Sequence, residues 1–160
     1  MMNVTLLCVG KLKEDYLRAA CAEYQKRLGA FCRLTVAEIA EARLPDRPSR
    51  AQIDAALAEE GASIMAKLPA NAYAVALCIE GQRMTSEQLA ASISSLTVNG
   101  TSALAFIIGG SFGLSDAVKS ACKLRLSMSD MTFAHQLSRV MLLEQIYRAF
   151  SINANTKYHK

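Results

Sequence analysis

Thr101-Ser102-Ala103-Leu104-Ala105-Phe106-Ile107-Ile108-Gly109-Gly110-Ser111-Phe112-Gly113-Leu114 passes from an unbroken apolar run into a glycine-rich turn. A continuous apolar stretch of this length predicts a strand buried on both faces, the condition of strands in a parallel sheet. Ala72–Ile79 carries the same signal, and Val4–Val9, Cys32–Ile39 and Leu124–Met128 are shorter strand-like runs. Between them lie helical patterns. Glu14–Leu28 is amphipathic and stops at Gly29. Ser49 to Gln52 and Thr85 to Gln88 are capping boxes that open helices running to about Leu68 and to Asn99-Gly100. A short helix starts at Ser115, and Gln136–Ser151 closes the series. Alternating strands and helices build βαβ units. The expected fold is therefore α/β: a single domain over 1–160, with a mostly parallel sheet and helices on both faces.

With 52% apolar residues and a mean hydropathy of +0.17, the chain has more apolar surface than a short soluble domain needs. No run approaches the roughly 18 residues of a membrane span, so no membrane partner is expected. Met1–Gly10 reads as a strand without a charged leader or cleavage site, hence not as a signal peptide. The surplus points to a subunit interface. So does Gln136–Ser151, whose Leu137, Val140, Met141, Leu142, Leu143, Ile146, Tyr147 and Phe150 cover nearly its whole circumference. A helix apolar all round is buried on two sides. Five scattered cysteines with no C-x-x-C pair fit a reducing cytoplasm and supply neither a disulfide frame nor a zinc site. Two histidines exclude a multi-histidine metal centre, and no metal is expected. The net charge of +4 is concentrated in 11–33 and 115–160, while 34–70 is acidic; such asymmetry suits a polyanionic partner.

Candidate chemistry gathers at strand ends. Gly109-Gly110-Ser111-Phe112-Gly113 is G-G-x-x-G rather than G-x-G-x-x-G. It admits two readings: a tight turn needing positive φ, or a wall where ligand approaches backbone amides. Gly10-Lys11-Leu12-Lys13 lacks Walker spacing, and its lysines are expected to face solvent or RNA phosphate. Glu80 is expected to pair with Arg83, although a carboxyl strand end could also bring it near a cationic ligand. His135 stands just before the last helix, where a lone histidine more often caps or packs than reacts, and Arg139, one turn further on, could hold a phosphate or base. His159 has no place that spacing alone can assign.

Val9-Gly10-Lys11-Leu12-Lys13-Glu14, Glu23–Leu28, Phe106–Ser111 with Gly113-Leu114, Met131–Gln136, Glu144–Phe150 and Tyr158-His159-Lys160 together carry a wider resemblance. The chain resembles, end to end, the RlmH family of SPOUT-class ribosomal RNA methyltransferases. That resemblance implies a trefoil knot in the C-terminal half, a rare exception to unthreaded chains. It implies a homodimer and S-adenosylmethionine as cofactor. The cofactor residues it implies are Leu77, Gly109, Met128, Ser129, Asp130, Met131, Thr132 and Phe133. It further implies methylation at N3 of a pseudouridine in 23S ribosomal RNA, on the assembled ribosome in the cytoplasm. Ala134 departs from the family, which usually has proline there and so a stiffer turn.

On this reading Arg139, His135 and His159 are the catalytic candidates, with His159 acting from the partner's tail. Lys11, Lys13, Arg139, Tyr158 and Lys160 are the RNA-binding candidates. A non-catalytic ribosome-binding module that kept the fold is the alternative. A doubly wound nucleotide enzyme is disfavoured, because no G-x-G-x-x-G unit with its acidic residue is present.

Overall fold

A computed structural model describes all residues, 1–160. Five strands, β1 (Met2–Val9), β2 (Cys32–Ile39), β3 (Tyr73–Arg83), β4 (Ala103–Ile108) and β5 (Leu124–Ser127), form one sheet in the order β2-β1-β4-β3-β5. Every pairing in it is parallel. The helices are α1 (Asp15–Leu28), α2 (Arg50–Lys67), α3 (Ser86–Val98), α4 (Asp116–Ala121) and α5 (His135–Asn153). Both expected capping boxes form: the Ser49 and Thr85 hydroxyls accept from the Gln52 and Gln88 amides, and each glutamine reaches back. No helix is long and apolar enough to cross a membrane.

The side-chain period of two sorts each strand between two cores. Val4, Leu6 and Cys8 of β1, with Leu104, Phe106 and Ile108 of β4, face α1, α3 and α5. Leu7, Val9 and Ile107 point the other way and pack with Ile64 of α2 and Val118 of α4. The chain thus leaves β3 toward one face and β4 toward the other. Diverging connections from neighbouring parallel strands open a crevice at their carboxyl ends.

β3 runs four residues past the expected end at Ile79, with a break in register. Both Leu77 and Gln82 align with Leu126, so Cys78–Gly81 bulges out of the ladder. The bulge depends on Gly81, where a β-carbon would stand 2.7 Å from the Arg125 carbonyl carbon. The segment therefore leaves the sheet plane and arches over the crevice.

Candidate cofactor pocket and its rim

The carboxyl ends of β3, β4 and β5 enclose a cavity of about 670 Å³, within the roughly 300–1,000 Å³ of small-molecule sites. Leu77–Glu80 forms one wall, Ile108–Leu114 a second, and Met128–His135 a third. Of the eight residues expected to hold a cofactor, Leu77, Gly109, Met128, Ser129, Met131, Thr132 and Phe133 line it. Asp130 does not. Its carboxylate turns outward and accepts from Arg83 at 2.8 Å.

The two readings of the Gly109–Gly113 turn prove compatible. A β-carbon on Gly109 would lie 2.3 Å from the Gly113 carbonyl oxygen, so backbone crosses backbone there. Gly113 has φ +78, the left-handed region, and its amide donates to the Gly110 carbonyl at 3.1 Å. The same absence of side chains opens the peptide groups to the cavity. Opposite, residues 128–133 make no backbone–backbone hydrogen bond. Their internal bonds are Ser127 Oγ donating to the Ser129 carbonyl and Met131 N donating to Ser129 Oγ, at 3.1 and 3.0 Å. Unpaired peptide groups against an apolar hollow are what a planar, polar-edged ring such as adenine would satisfy. The donor set fits an adenosyl cofactor.

Glu80 and Lys119 also line the cavity, and they pair with each other. The expected Glu80–Arg83 pair is absent: the bulge turns Glu80 toward α4, and Arg83 goes to Asp130. The Lys119 ammonium holds the Glu80 carboxyl below the usual glutamate range. A carboxylate and an ammonium on one wall match the charges of an amino-acid end group. Burial raises the neighbouring Cys78 thiol, which is thereby kept protonated and unreactive.

Arg139 lies elsewhere than the surface role required. It is 2% exposed, with Nη1 donating to Glu38 Oε1 at 3.1 Å and Nη2 donating to the Gly10 carbonyl at 3.0 Å. Its Nε is buried without a partner. A guanidinium so enclosed ties α5 to the ends of β1 and β2 and has no face free for phosphate. His135, the first residue of α5, does line the cavity.

The C-terminal tail folds back along α5 on its own chain. Tyr158 donates to Glu144 Oε1 at 3.0 Å, and its ring packs edge-on against Tyr147 beneath the Arg148 guanidinium. Burial first, and then the hydrogen bond that Tyr158 donates to Glu144, raises the Tyr158 phenol. His159 meets Arg148 through Nδ1 at 3.2 Å and Glu87 through Nε2 at 2.8 Å. Arginine only donates, so Nδ1 accepts and Nε2–H donates to Glu87. Neither Tyr158 nor His159 lines the large cavity. Nor does either line a second hollow of about 500 Å³, bounded by Ser86, Val140, Met141 and Glu144 among others, which Tyr158 meets only through its bond to Glu144. Lys11, Lys13 and Lys160 are exposed, and the Lys13 amide donates to Gln136 Oε1 at 2.9 Å, which holds the basic loop beside His135.

A five-stranded parallel α/β chain with a hollow of small-molecule size between two turns at its carboxyl edge belongs to the class of α/β proteins that place their ligand site at the strand ends. A family model described as predicted SPOUT methyltransferase matches residues 2–159, and the chain belongs to that family of methyltransferases. The chain is 50% identical over 159 residues to ribosomal RNA large subunit methyltransferase H of Bifidobacterium adolescentis, covering 99% of this chain and 100% of the relative. It is 47% identical, with the same coverage, to the protein of that name from Clostridium novyi. Among solved structures, a probable methyltransferase from Bordetella pertussis shares the fold at TM-score 0.55 and 15% identity, over 93% of this chain and 96% of that one. A probable methylase family protein from Haemophilus influenzae does so at TM-score 0.56 and 13% identity, over 99% and 71%.

Proposed function

We propose that this methyltransferase uses S-adenosylmethionine to methylate N3 of a pseudouridine in 23S ribosomal RNA, acting as a homodimer on the assembled large subunit in the cytoplasm. The observation that carries the reading is the meeting of the Gly109–Gly113 and Met128–Phe133 turns around one hollow, the second turn making no backbone–backbone hydrogen bond. Relatives that carry the ribosomal RNA name along their full length supply the substrate class. The cofactor, when bound, supplies an electrophilic methyl group on a sulfonium.

The chain's own residues do the remainder. Leu77, Ile108, Met128 and Phe133 keep water from the reacting face. The two turns orient the adenosyl group, and orientation accounts for much of the acceleration of a two-body transfer. Glu80 and Lys119 suit the two charges of its amino-acid end. Lys11 and Lys13 offer phosphate contacts beside the mouth, which position RNA without reading sequence.

Pairing of two copies would bring the Tyr158–Lys160 tail of one protomer toward the other's cavity. The accessible surface of 9012 Å² supports a second copy. A compact monomer of 17.3 kDa exposes about 7,800 Å². Threading of 128–134 past the Gly109–Gly113 turn is the crossing that a trefoil knot would use.

Mass spectrometry of ribosomal RNA from a deletion strain tests the reading. Loss of one methylpseudouridine, restored by the gene, is expected; persistence of every methylpseudouridine would refute it. Titration calorimetry with S-adenosylmethionine separates the non-catalytic alternative, for which no heat is expected.

A further inference from the structure

We infer that Glu41 is a positioning residue for His135, and that the two form the proton-accepting rim of the cavity, built for an imide N–H such as that of a uracil-type base. The inference rests on the methyltransferase reading above. Its geometry centres on Gly10, whose φ of +86 turns the chain sharply at the end of β1. A β-carbon placed there would lie 3.7 Å from Glu41 Oε2 and 3.7 Å from His135 Nε2. The two side-chain ends are thus at most twice that distance apart. They form no hydrogen bond or ion pair with each other, and both face the space above Gly10. The other Glu41 oxygen reaches across to β4, 3.7 Å from where a β-carbon on Gly110 would stand. Glu41 belongs to a side hollow that shares Ser111 and Phe112 with the main cavity, and His135 lines the main cavity itself.

The surrounding charges single out this pair. Glu38 at the end of β2 is taken by Arg139 of α5. Glu60 of α2 accepts from the Ala42 amide at 3.1 Å. Glu80 on the far wall is held by Lys119. Lys11 and Lys13 lie on the β1–α1 loop, and Arg43 lies on Glu41's own loop. Among these acids Glu41 alone has no hydrogen-bond or ion-pair partner, and the His135 ring has none either.

A ring nitrogen flanked by two carbonyls is a poor nucleophile until its proton leaves. In the proposed step the N–H bond breaks, its electron pair stays on the nitrogen, and the proton passes to His135 Nε2. The resulting imidazolium faces the Glu41 carboxylate and later releases its proton to solvent. A carboxylate placed to favour the charged form of a base is a recurring arrangement for proton transfer. Gly10 leaves the space open, since any side chain there would fill it.

The test reads His135 directly, without cofactor or RNA. The imidazole Cε1–H signal is followed by NMR against pH in the wild type, E41Q and E41D, with H135Q fixing the assignment. Removing the carboxylate is expected to move the pH response of that signal to lower pH, the direction that loss of a nearby opposite charge gives. E41D should restore it. In single-turnover methyl transfer to large subunits, the acid limb of the E41Q pH profile should move down in step while cofactor affinity stays unchanged. Equal midpoints in the wild type and E41Q would overturn the inference. A shifted midpoint in a protein that transfers no methyl would uphold the pair and overturn the methyltransfer reading instead.

Discussion

Replacing Arg139 by methionine keeps most of the buried stem and removes the guanidinium fork. The fork donates to Glu38 and to the Gly10 carbonyl, so two bonds are lost together. A hydrogen bond to a charged group contributes about 1.5–3 kcal/mol, and a buried carbonyl left unpaired costs about 1–3 kcal/mol. Two features of the site reduce the total. The Glu38 side chain is 37% exposed, so water resolvates much of its charge. Arg139 Nε already lacks a partner, a desolvation cost that the variant removes. The net loss expected is about 2–3 kcal/mol. For a domain of this size that lowers Tm by about 4–12 °C at fixed protomer concentration.

Thermal and urea unfolding measure this loss, and fluorescence anisotropy with a ribosomal RNA fragment measures the other role. A phosphate ligand would lower the slope of log K against log salt by about 0.7–0.9 on its removal. A strut would leave the slope alone. R139M with wild-type Tm and a flattened salt dependence would refute the strut and return Arg139 to RNA binding. The double variant with Glu38→Gln adds a check. Because the two groups share one contact, its destabilisation should fall short of the sum of the single variants.

Gly109→Ala should abolish cofactor heat in titration calorimetry, because its methyl would stand 2.3 Å from the Gly113 carbonyl and force the turn into the cavity; unchanged affinity would contradict the crossing of backbones there. Cys8 gives a pH signature. Burial pushes its thiol from 9.0 up to about 12, with Arg139 opposing. The folded-state value lies above the unfolded one, so the stabilisation is complete below pH 9.0 and is lost as pH rises toward about 12. Cys8→Ala should therefore flatten the alkaline fall in unfolding free energy by about 1.4 kcal/mol per pH unit in that window; an identical slope in both proteins would count against the burial.

The parts of the molecule legible in its sequence are those with local causes. Ala103–Ile108 reads as a buried strand because nothing polar interrupts it, and Ser49 and Thr85 announce their helices through bonds spanning three residues. The end of β3 was not legible. The apolar run stops at Ile79, and only the renewed pairing of Gln82 with Leu126, with Gly81 packed against Arg125, shows that the strand continues to Arg83. Arg139 misleads for a related reason. On a helix apolar nearly all round, its charge suggests the solvent side. What decides its direction is a carbonyl at Gly10, 129 residues away in sequence, that needs a donor.

The same division separates the two halves of the site. The proposed cofactor side lies at the Gly109–Gly113 and Met128–Phe133 turns, and in the first of these glycine signals the turn in the sequence itself. The proposed substrate side depends on side chains brought together by strand order. Glu41 lies two residues beyond β2, Gly10 directly follows β1, and His135 opens α5; β2 and β1 are neighbours because the sheet runs β2-β1-β4. No spacing rule links those positions. An adenosyl group presents the same edges in every protein that binds it, so backbone geometry suffices to hold it. Proton removal needs a titratable group at one place, and that group is supplied wherever the fold passes. The Arg139–Glu38–Gly10 tie joins the halves, since it anchors the first turn of α5, and with it His135, to the strand ends that carry Gly10 and Glu41. Loosening it should therefore disturb proton transfer before it disturbs cofactor binding: R139M is expected to lose single-turnover rate while retaining calorimetric affinity for S-adenosylmethionine, and the opposite order would place the strut on the cofactor side.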